Sequence, residues 1–348
     1  MTIRSSSTKI DLKDLSPAEL RELVASYGKE KYRTLQLLKW LYQKRVSSFD
    51  EMTNLPKKLR EEWKQFFSIS TLTPIRLQIA SDGTKKFLFQ LEDGNRIESV
   101  LIPERHRLTL CVSTQVGCGL GCQFCLTGKK GFRRNLKASE IVNQIIAAKK
   151  SLAEGQLITN IVLMGMGEPL ANYENTLKAI QLMTYSDAFK FSSRRVTLST
   201  VGLLPELERL SGERVPFRLA ISLNATDDET RSRLMPINRQ NPLKKLLDLC
   251  RRFPLRPRER ITFEYVLLKG INDSVQDAKR MVRLLKGIPS KVNLIPFNEA
   301  PEIPFKRPSD DEVREFQEVL MAEGLTAIVR SSKGRDISAA CGQLHAEG

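Results

Sequence analysis

The sequence predicts an α/β protein whose main part is a partial, open barrel of the (β/α)6 type, preceded by a small helical domain and a β-hairpin extension. Three patterns in the 348 residues carry this prediction. Helical periodicity fills residues 1–72, alternation of apolar and polar residues fills 73–104, and apolar runs alternate with helix-like segments over 105–348. These three ranges are the predicted domains.

The first range, residues 1–72, contains a clear helix start. Ser16, Pro17 and Glu19 stand in the order of a capping box, in which serine caps the helix, proline follows and glutamate returns a hydrogen bond. Farther along, an apolar face is flanked by lysines and arginines. We expect a small accessory module whose basic face either contacts a phosphate backbone or is simply solvated.

The second range, residues 73–104, predicts a β-hairpin and one further strand. Residues 75–79 and 86–91 alternate in polarity and flank a Ser-Asp-Gly-Thr turn signal at 81–84. Residues 96–102 continue the alternation as another strand. A small antiparallel sheet is therefore expected ahead of the main domain.

The third range, residues 105–348, alternates between strand-like and helix-like segments. Apolar runs recur at 108–112, 158–164, 196–199, 217–223, 261–267, 292–295 and 325–329, and the helix-like segments lie near 138–153, 173–185, 203–210, 242–253, 274–286 and 309–323. Such alternation forms parallel βαβ units. Six or seven units are too few for a closed eight-fold barrel, so the barrel is expected to be open.

The composition favours a polyanionic partner. Lys plus Arg is 56 against 40 for Asp plus Glu, a net charge of +16. The sequence contains no run of about 18 apolar residues, the length that a transmembrane helix requires. Nucleic acid is therefore the first candidate for the partner, and the alternative is a merely soluble basic protein. Residues 1–9 lack the apolar stretch of a signal peptide. Six cysteines suit metal or redox chemistry in a reducing cytoplasm better than a disulfide framework.

Three of these cysteines form the motif C-x3-C-x2-C at Cys118, Cys122 and Cys125. Iron–sulfur clusters are normally held by four cysteine thiolates, and a group of three leaves one iron open to an outside ligand. The alternatives are a zinc site or a chance grouping. Zinc usually requires a fourth Cys or His at short range, and the two histidines, His106 and His345, are poorly placed.

Polar and glycine-rich stretches follow several predicted strands, and in parallel barrels the active-site groups gather at the C-terminal ends of the strands. The second predicted strand ends in Gly167 and Glu168, whose carboxylate could hold an ammonium group. The other strand-end candidates are Ser199, Ser222, Leu223, Asn224 and Asn298. Each could be an ordinary turn residue, but a binding crevice is the better account of the whole set.

These motifs resemble the radical S-adenosylmethionine (SAM) superfamily. The shared features are the three-cysteine loop, with the aromatic Phe124 before its last cysteine, and the Gly-Glu-Pro strand end. Further segments extend the resemblance over almost the whole chain, at 49–53, 98–103, 128–136, 222–225, 233–238 and 339–344. Together they resemble the RlmN/Cfr family of RNA adenine methyltransferases, and its RlmN branch more closely.

The resemblance implies a radical SAM barrel and a [4Fe-4S] cluster on Cys118, Cys122 and Cys125. The open iron would chelate SAM and cleave it to a 5′-deoxyadenosyl radical. Two SAM molecules per turnover and an external, flavodoxin-like one-electron reductant are implied. The implied SAM contacts are Gly167, Glu168, Ser199, Ser222, Leu223, Asn224 and Asn298.

The resemblance also implies catalytic roles for Cys341, Glu98 and Cys111. Cys341 takes a methyl group from the first SAM, and the radical from the second removes a hydrogen atom so that the carbon adds to adenine. Glu98 then removes the ring proton, and Cys111 attacks the Cys341 sulfur to leave a Cys111–Cys341 disulfide. Without the resemblance, both cysteines could be buried apolar residues and Glu98 a charged residue on an edge strand.

Two other features have simpler interpretations. Cys250 lies in an apolar helix pattern and is assigned to core packing. A basic loop follows the cysteine motif and either clamps phosphates or forms a solvated rim. Its members are Lys129, Lys130, Arg133, Arg134 and Lys137.

The expected function is methylation of C2 of an adenosine in 23S ribosomal RNA. In some members of the family, C2 of adenosine 37 in certain transfer RNAs is a second target. One alternative is Cfr-type methylation at C8 of the same ribosomal adenosine, which uses the same residues. The other is a non-catalytic, metal-stabilised RNA-binding protein.

Overall fold

The structure, a computed structural model, describes residues 9–213 and 217–346. The prediction that residues 1–9 hold no signal peptide cannot be compared with the structure, because residues 1–8 lie outside the described residues. No helix in the described ranges is long and apolar enough to cross a membrane.

Helices dominate the N-terminal part of the described chain. The elements are β1 Ile10–Asp11, α1 Pro17–Ser26, α2 Tyr32–Leu38, a π-helical continuation Lys39–Lys44, α3 Lys57–Phe66 and β2 Phe67–Ser68, with 3-10 turns at Leu12–Asp14 and Phe49–Glu51. The predicted capping box is present: the Ser16 hydroxyl accepts the Glu19 N–H, and the Glu19 carboxylate accepts the Ser16 N–H. Apolar side chains of these helices, such as Trp63, pack into the same continuous core as the barrel.

A ten-stranded sheet forms the centre of the described molecule, in the order β14-β13-β12-β11-β10-β9-β6-β5-β4-β3. Its strands are β3 Pro74–Ile79, β4 Lys85–Gln90, β5 Arg96–Glu104, β6 Arg107–Cys111, β9 Asn160–Leu163, β10 Val196–Thr200, β11 Arg218–Ser222, β12 Ile261–Leu267, β13 Ser290–Pro296 and β14 Ala327–Val329. From β6 to β14 the neighbouring strands are parallel, which confirms the predicted α/β partial barrel. A separate two-stranded ribbon consists of β7 Gln115–Gly117 and β8 Phe132–Asn135.

The predicted antiparallel strands are present, and they join the barrel sheet directly. Strand β5 pairs antiparallel with β6, with Val100 opposite Cys111, so β3, β4 and β5 extend the barrel wall itself. Glu98 therefore lies on an interior strand with a partner on each side, not on an edge. Its side chain is only 2% exposed.

Helices cover the outer face of the parallel strands and connect them. They are α4 Leu126–Lys129, α5 Ala138–Lys150, α6 Tyr173–Thr184, α7 Leu204–Ser211, α8 Asp228–Leu234, α9 Leu243–Arg252, α10 Val275–Leu285 and α11 Asp310–Ala322. Each amphipathic helix turns its apolar side to the sheet, which removes that surface from water. Cys250 on α9 is buried in this core, in agreement with a packing role.

Residues 334–346, called the C-terminal segment below, run from the end of the barrel back to the hairpin. The N–H of Gly334 donates to Asp82 at 3.0 Å, and the N–H of Ser81 donates to Asp336 at 2.8 Å. The Ser81–Thr84 turn thus anchors the start of this segment. This anchorage brings Cys341 to the carboxyl-terminal mouth of the barrel.

Candidate active site

The three-cysteine loop connects β7 to α4 at the mouth of the barrel. Its start is fixed where the N–H of Cys118 donates to the Gly131 carbonyl at 3.0 Å, and its last turn closes where the N–H of Cys125 donates to the Cys122 carbonyl at 3.2 Å. All three cysteines line one cavity of about 170 Å³. The loop therefore directs three thiols toward a common space.

The three thiols are candidate ligands of an iron–sulfur cluster. In the described residues, no three Cys, His, Asp or Glu side chains converge as the ligands of one metal ion would. A cubane cluster is larger, and each cysteine binds a different iron atom. Burial raises the pKa of Cys118 to about 11 and raises the pKa values of Cys122 and Cys125. Metal binding would therefore have to displace three protons from these thiols.

Most of the predicted strand-end residues line the same cavity. These are Gly167, Glu168, Ser199, Ser222, Asn224 and Asn298. Leu223 is the exception, since its fully buried side chain is not part of the lining. Its carbonyl accepts a hydrogen bond from Arg231 at 3.0 Å, so the structure gives Leu223 a place in the wall behind the cavity.

The Gly-Glu pair after β9 is held in a closely packed turn. Gly167 has φ +100°, and a Cβ there would lie 2.5 Å from the Cβ of Gln115, so no other residue fits. The carboxylate of Glu168 accepts the N–H groups of Leu170 and Val201, each at 3.0 Å. Burial nevertheless raises the Glu168 pKa to about 7. A cationic ligand in the cavity would favour its ionised form.

Two charged residues that line this cavity, one buried and one partly buried, were missed by sequence reasoning. Glu264, in the middle of β12, accepts a hydrogen bond from Asn293 at 3.0 Å, while its other carboxylate oxygen has no partner among the described residues. Burial raises the Glu264 pKa. Arg330, directly after β14, lines the same cavity, and its positive charge opposes the upward shift of the Glu264 pKa. The available signals were a glutamate within an apolar strand and a cation at a strand end.

Cys341 lines this cavity and also a smaller one of about 90 Å³. Of these two cavities, Cys111 lines only the smaller one. Burial raises the pKa of Cys111 to about 12. Asn298 fixes the backbone of the C-terminal segment by donating to the Cys341 carbonyl at 3.2 Å. The structure thus places Cys341 between the three cysteines and Cys111. All six cysteines are free thiols, so the Cys111–Cys341 disulfide stays a prediction.

Glu98 lies close to the smaller cavity but is covered by the C-terminal segment. It shares one face of β5 with Val100 and Ile102, which line that cavity. Its carboxylate forms an ion pair with Lys86 at 3.1 Å. Glu98 lines neither of the two cavities.

The basic loop after the cysteine motif is only partly free to bind another molecule. Arg134 pairs with Glu140 at 2.8 Å and also with Asp93. Those contacts commit its guanidinium to the protein itself. Lys130 and Arg133, in the same loop as Arg134, are exposed.

Comparison with known proteins extends over nearly the whole chain. Residues 10–69 match the model of the ribosomal RNA large subunit methyltransferase N-terminal domain, and residues 112–285 match the radical SAM superfamily. A protein of Geobacter sulfurreducens named dual-specificity RNA methyltransferase RlmN is 55% identical over 337 residues, covering 97% of this chain and 92% of the relative. A protein of Geotalea uraniireducens with the same name is 52% identical over 97% of this chain and 96% of its own length.

A solved structure shows the same fold. The crystal structure of a radical SAM methyltransferase from Sphaerobacter thermophilus superposes with a TM-score of 0.90 at 46% identity. The superposition covers 97% of this chain and all of the other. Both the helical N-terminal part and the barrel therefore have counterparts in one solved protein.

Proposed function

Because the chain belongs to the RlmN family of radical SAM RNA methyltransferases, we propose that it methylates C2 of adenosine in two RNAs through an S-methylated Cys341. The substrates are 23S ribosomal RNA and transfer RNA, in line with the dual-specificity name of the relatives. The observation that carries the proposal is the position of Cys341, whose side chain borders both the three-cysteine cavity and the Cys111 cavity. Cfr-type methylation at C8 is less well supported, because the curated relatives carry the RlmN name.

The residues that line the larger cavity offer the donor groups that the cofactors of a radical SAM enzyme require, three thiols for a [4Fe-4S] cluster and a carboxylate for SAM. When bound, these cofactors supply a methyl group and a carbon-centred radical. Cys118, Cys122 and Cys125 would hold the cluster, and Glu168 would hold the SAM ammonium group. Ser199, Ser222, Asn224 and Asn298 complete the SAM contacts from the strand ends, while Leu223 contributes backbone only. Two SAM molecules are used in each turnover, one for each kind of chemistry.

Glu98 and Cys111 release the RNA once the Cys341 methylene carbon is joined to the adenine ring. The adduct left by radical addition carries one unpaired electron, which it must give up to a one-electron acceptor, a role that the oxidised cluster could fill. Glu98 accepts the ring proton, and with both losses the aromatic ring is restored. The Cys111 sulfur then attacks the Cys341 sulfur. An S–S bond forms, the bond from sulfur to the methylene carbon breaks, and that carbon leaves with the electron pair and takes up a proton to become the methyl group.

Burial sets the conditions for this last step. With a pKa raised to about 12, Cys111 is protonated at neutral pH in this structure, and its thiol must lose the proton before the sulfur can attack. Arg330 lies close enough to oppose that shift, since its positive charge favours the Cys111 thiolate. The disulfide product then needs two electrons from an external reductant, in addition to a flavodoxin-like one-electron donor for the cluster. Both requirements fit a reducing cytoplasm.

The decisive test is anaerobic incubation of the iron-reconstituted protein with SAM, a reductant and unmodified 23S RNA fragment or transfer RNA, followed by nucleoside mass spectrometry. We expect 2-methyladenosine from both RNAs. Cys341→Ala should give no methylated nucleoside, whereas Cys250→Ala, a matched buried cysteine away from both cavities, should behave as the wild type. An 8-methyladenosine product would refute the C2 assignment, and a Cys341→Ala enzyme that still methylates would refute the carrier mechanism.

A further inference from the structure

The carboxylate of Glu98 lies at a junction of three parts of the chain. It projects from β5 and is 2% exposed. Its Oε1 atom pairs with Nζ of Lys86, which projects from the neighbouring strand β4 and is itself 5% exposed, at 3.1 Å. A buried carboxylate beside a buried ammonium group is fixed far more tightly than a surface pair would be.

The second oxygen of Glu98 binds the C-terminal segment. Its Oε2 atom accepts the backbone N–H groups of His345 at 2.9 Å and Ala346 at 3.0 Å. Lys86 also donates to the carbonyl of Ser338, at 3.4 Å. The ion pair therefore holds both ends of residues 339–344, the stretch that contains Cys341.

These contacts, together with an exposure of only 2%, keep a proton of the RNA out of reach of Glu98 in this conformation. A general base must come within hydrogen-bond reach of the proton it removes. Here Oε2 is occupied by two N–H donors and Oε1 by an ammonium group. The oxygen that can be freed is Oε2, because its donors belong to the C-terminal segment, whereas Lys86 lies within the sheet.

We propose that Lys86 is a positioning residue that holds Glu98 by one oxygen and ties it to the C-terminal segment, so that Glu98 accepts the ring proton only after His345 and Ala346 have left its other oxygen. The inference rests on the proposed role of Glu98. Movement of the segment that carries Cys341 thereby uncovers the base. Lys86 keeps the freed carboxylate oriented while the segment is displaced.

The test measures three steps on one enzyme, Lys86→Met. Intact-protein mass spectrometry reports methylation of Cys341, chromatography reports cleavage of SAM, and denaturing electrophoresis reports the covalent RNA–protein adduct. A positioned general base contributes about 100- to 10,000-fold to a rate, so we expect formation of methylated RNA to fall at least about tenfold. Adduct should accumulate, while Cys341 methylation and SAM cleavage stay within about twofold of the wild type.

Two further variants separate positioning from general damage. Lys86→Arg keeps the cation and should restore most of the turnover. Lys85→Met removes the neighbouring lysine of β4, whose ammonium group donates to the Ser151 carbonyl at 3.1 Å, and should leave all three steps unchanged. Hydrogen exchange of the peptide spanning 338–346 should quicken in Lys86→Met and not in Lys85→Met. If Lys86→Met does not fold, Lys86→Gln replaces it, with the same expected results.

Several outcomes would overturn the inference. The inference is wrong if Lys86→Met turns over at the wild-type rate. It is also wrong if every Lys86 variant loses Cys341 methylation and methylated RNA to the same extent, because Lys86 would then be merely structural. Glu98→Gln measured in parallel separates this failure from that of the proposed function. If Glu98→Gln accumulates adduct and Lys86→Met does not, the role of Lys86 alone is wrong. If Glu98→Gln accumulates none, the proposed role of Glu98 itself is wrong.

Discussion

Arg231 offers a stringent test of how the strand ends that are proposed to bind SAM are held. Its side chain is fully buried in α8. It donates to the carbonyls of Val201 at 2.8 Å, Ser222 at 3.1 Å and Leu223 at 3.0 Å, and to the Asn238 side chain at 2.7 Å. One guanidinium group therefore ties together the ends of β10 and β11. Burial lowers its pKa to about 10, so it stays protonated at neutral pH.

Replacing Arg231 by lysine keeps the charge but removes the planar fork of donors. The guanidinium also donates to the Asn241 carbonyl at 3.4 Å, which makes five acceptors. A single ammonium group in this site can reach about three of them, which leaves about two buried acceptors unpaired. Each costs about 1–3 kcal/mol, so the free energy of unfolding should fall by about 3 kcal/mol. SAM affinity should fall too, because the loosened carbonyls belong to residues that border its site.

The assays are urea denaturation for the free energy of unfolding and equilibrium titration for SAM binding to the reconstituted protein. Arg239→Lys, an exposed arginine in the turn after α8, is the matched control and should change neither quantity. A loss below about 1 kcal/mol in Arg231→Lys would show that the unpaired carbonyls find other donors. The argument that one side chain holds both strand ends would then be refuted.

Three other predictions concern the site itself. Cys111→Ala should accumulate the covalent RNA–protein adduct on denaturing gels, since no thiol remains to attack the Cys341 sulfur, and normal turnover would contradict this. Gly167→Ala should abolish SAM binding in equilibrium titration, because the new Cβ would lie 2.5 Å from the Gln115 Cβ; unchanged affinity would count against that packing. Burial raises the Glu168 pKa from 4.5 to about 7, so the folded protein binds the extra proton and should lose stability as pH rises from 4.5 to 7, by at most about 3 kcal/mol. Glu168→Gln should flatten that slope in urea denaturation of the metal-free protein, and an unchanged slope would refute the assignment.

Local signals in the sequence were sufficient to predict those features of the structure that depend on residues close together in the chain. The Ser16 capping box and the strand–helix alternation depend on a few adjacent positions, so both were predictable. The strand-end candidates followed from topology, since parallel strands present their carboxyl ends at one mouth. Leu223 deviates because β11 ends at Ser222 and the chain turns at Asn224, whose φ is +57°, so that the Leu223 side chain is buried while Ser222 and Asn224 line the cavity.

Long-range contacts could not be predicted from local signals. Lys86 and Glu98 are separated by a hairpin, and nothing near Lys86 marks it as the partner of a buried carboxylate. Arg330 and Glu264 come from different strands and meet only when the barrel forms. The extension of the barrel wall by the hairpin depends on pairing of β5 with β6, which sequence patterns do not specify.

The continuous sheet has a consequence for how this protein can vary in evolution. Lys86, Glu98 and Cys111 lie on three adjacent strands, whose spacing of about 4.8 Å is fixed by backbone hydrogen bonds. A single-residue insertion within β5 would turn Glu98 to the opposite face and separate it from both partners. Length changes should therefore be excluded from β4, β5 and β6, while substitutions on their outward faces are tolerated.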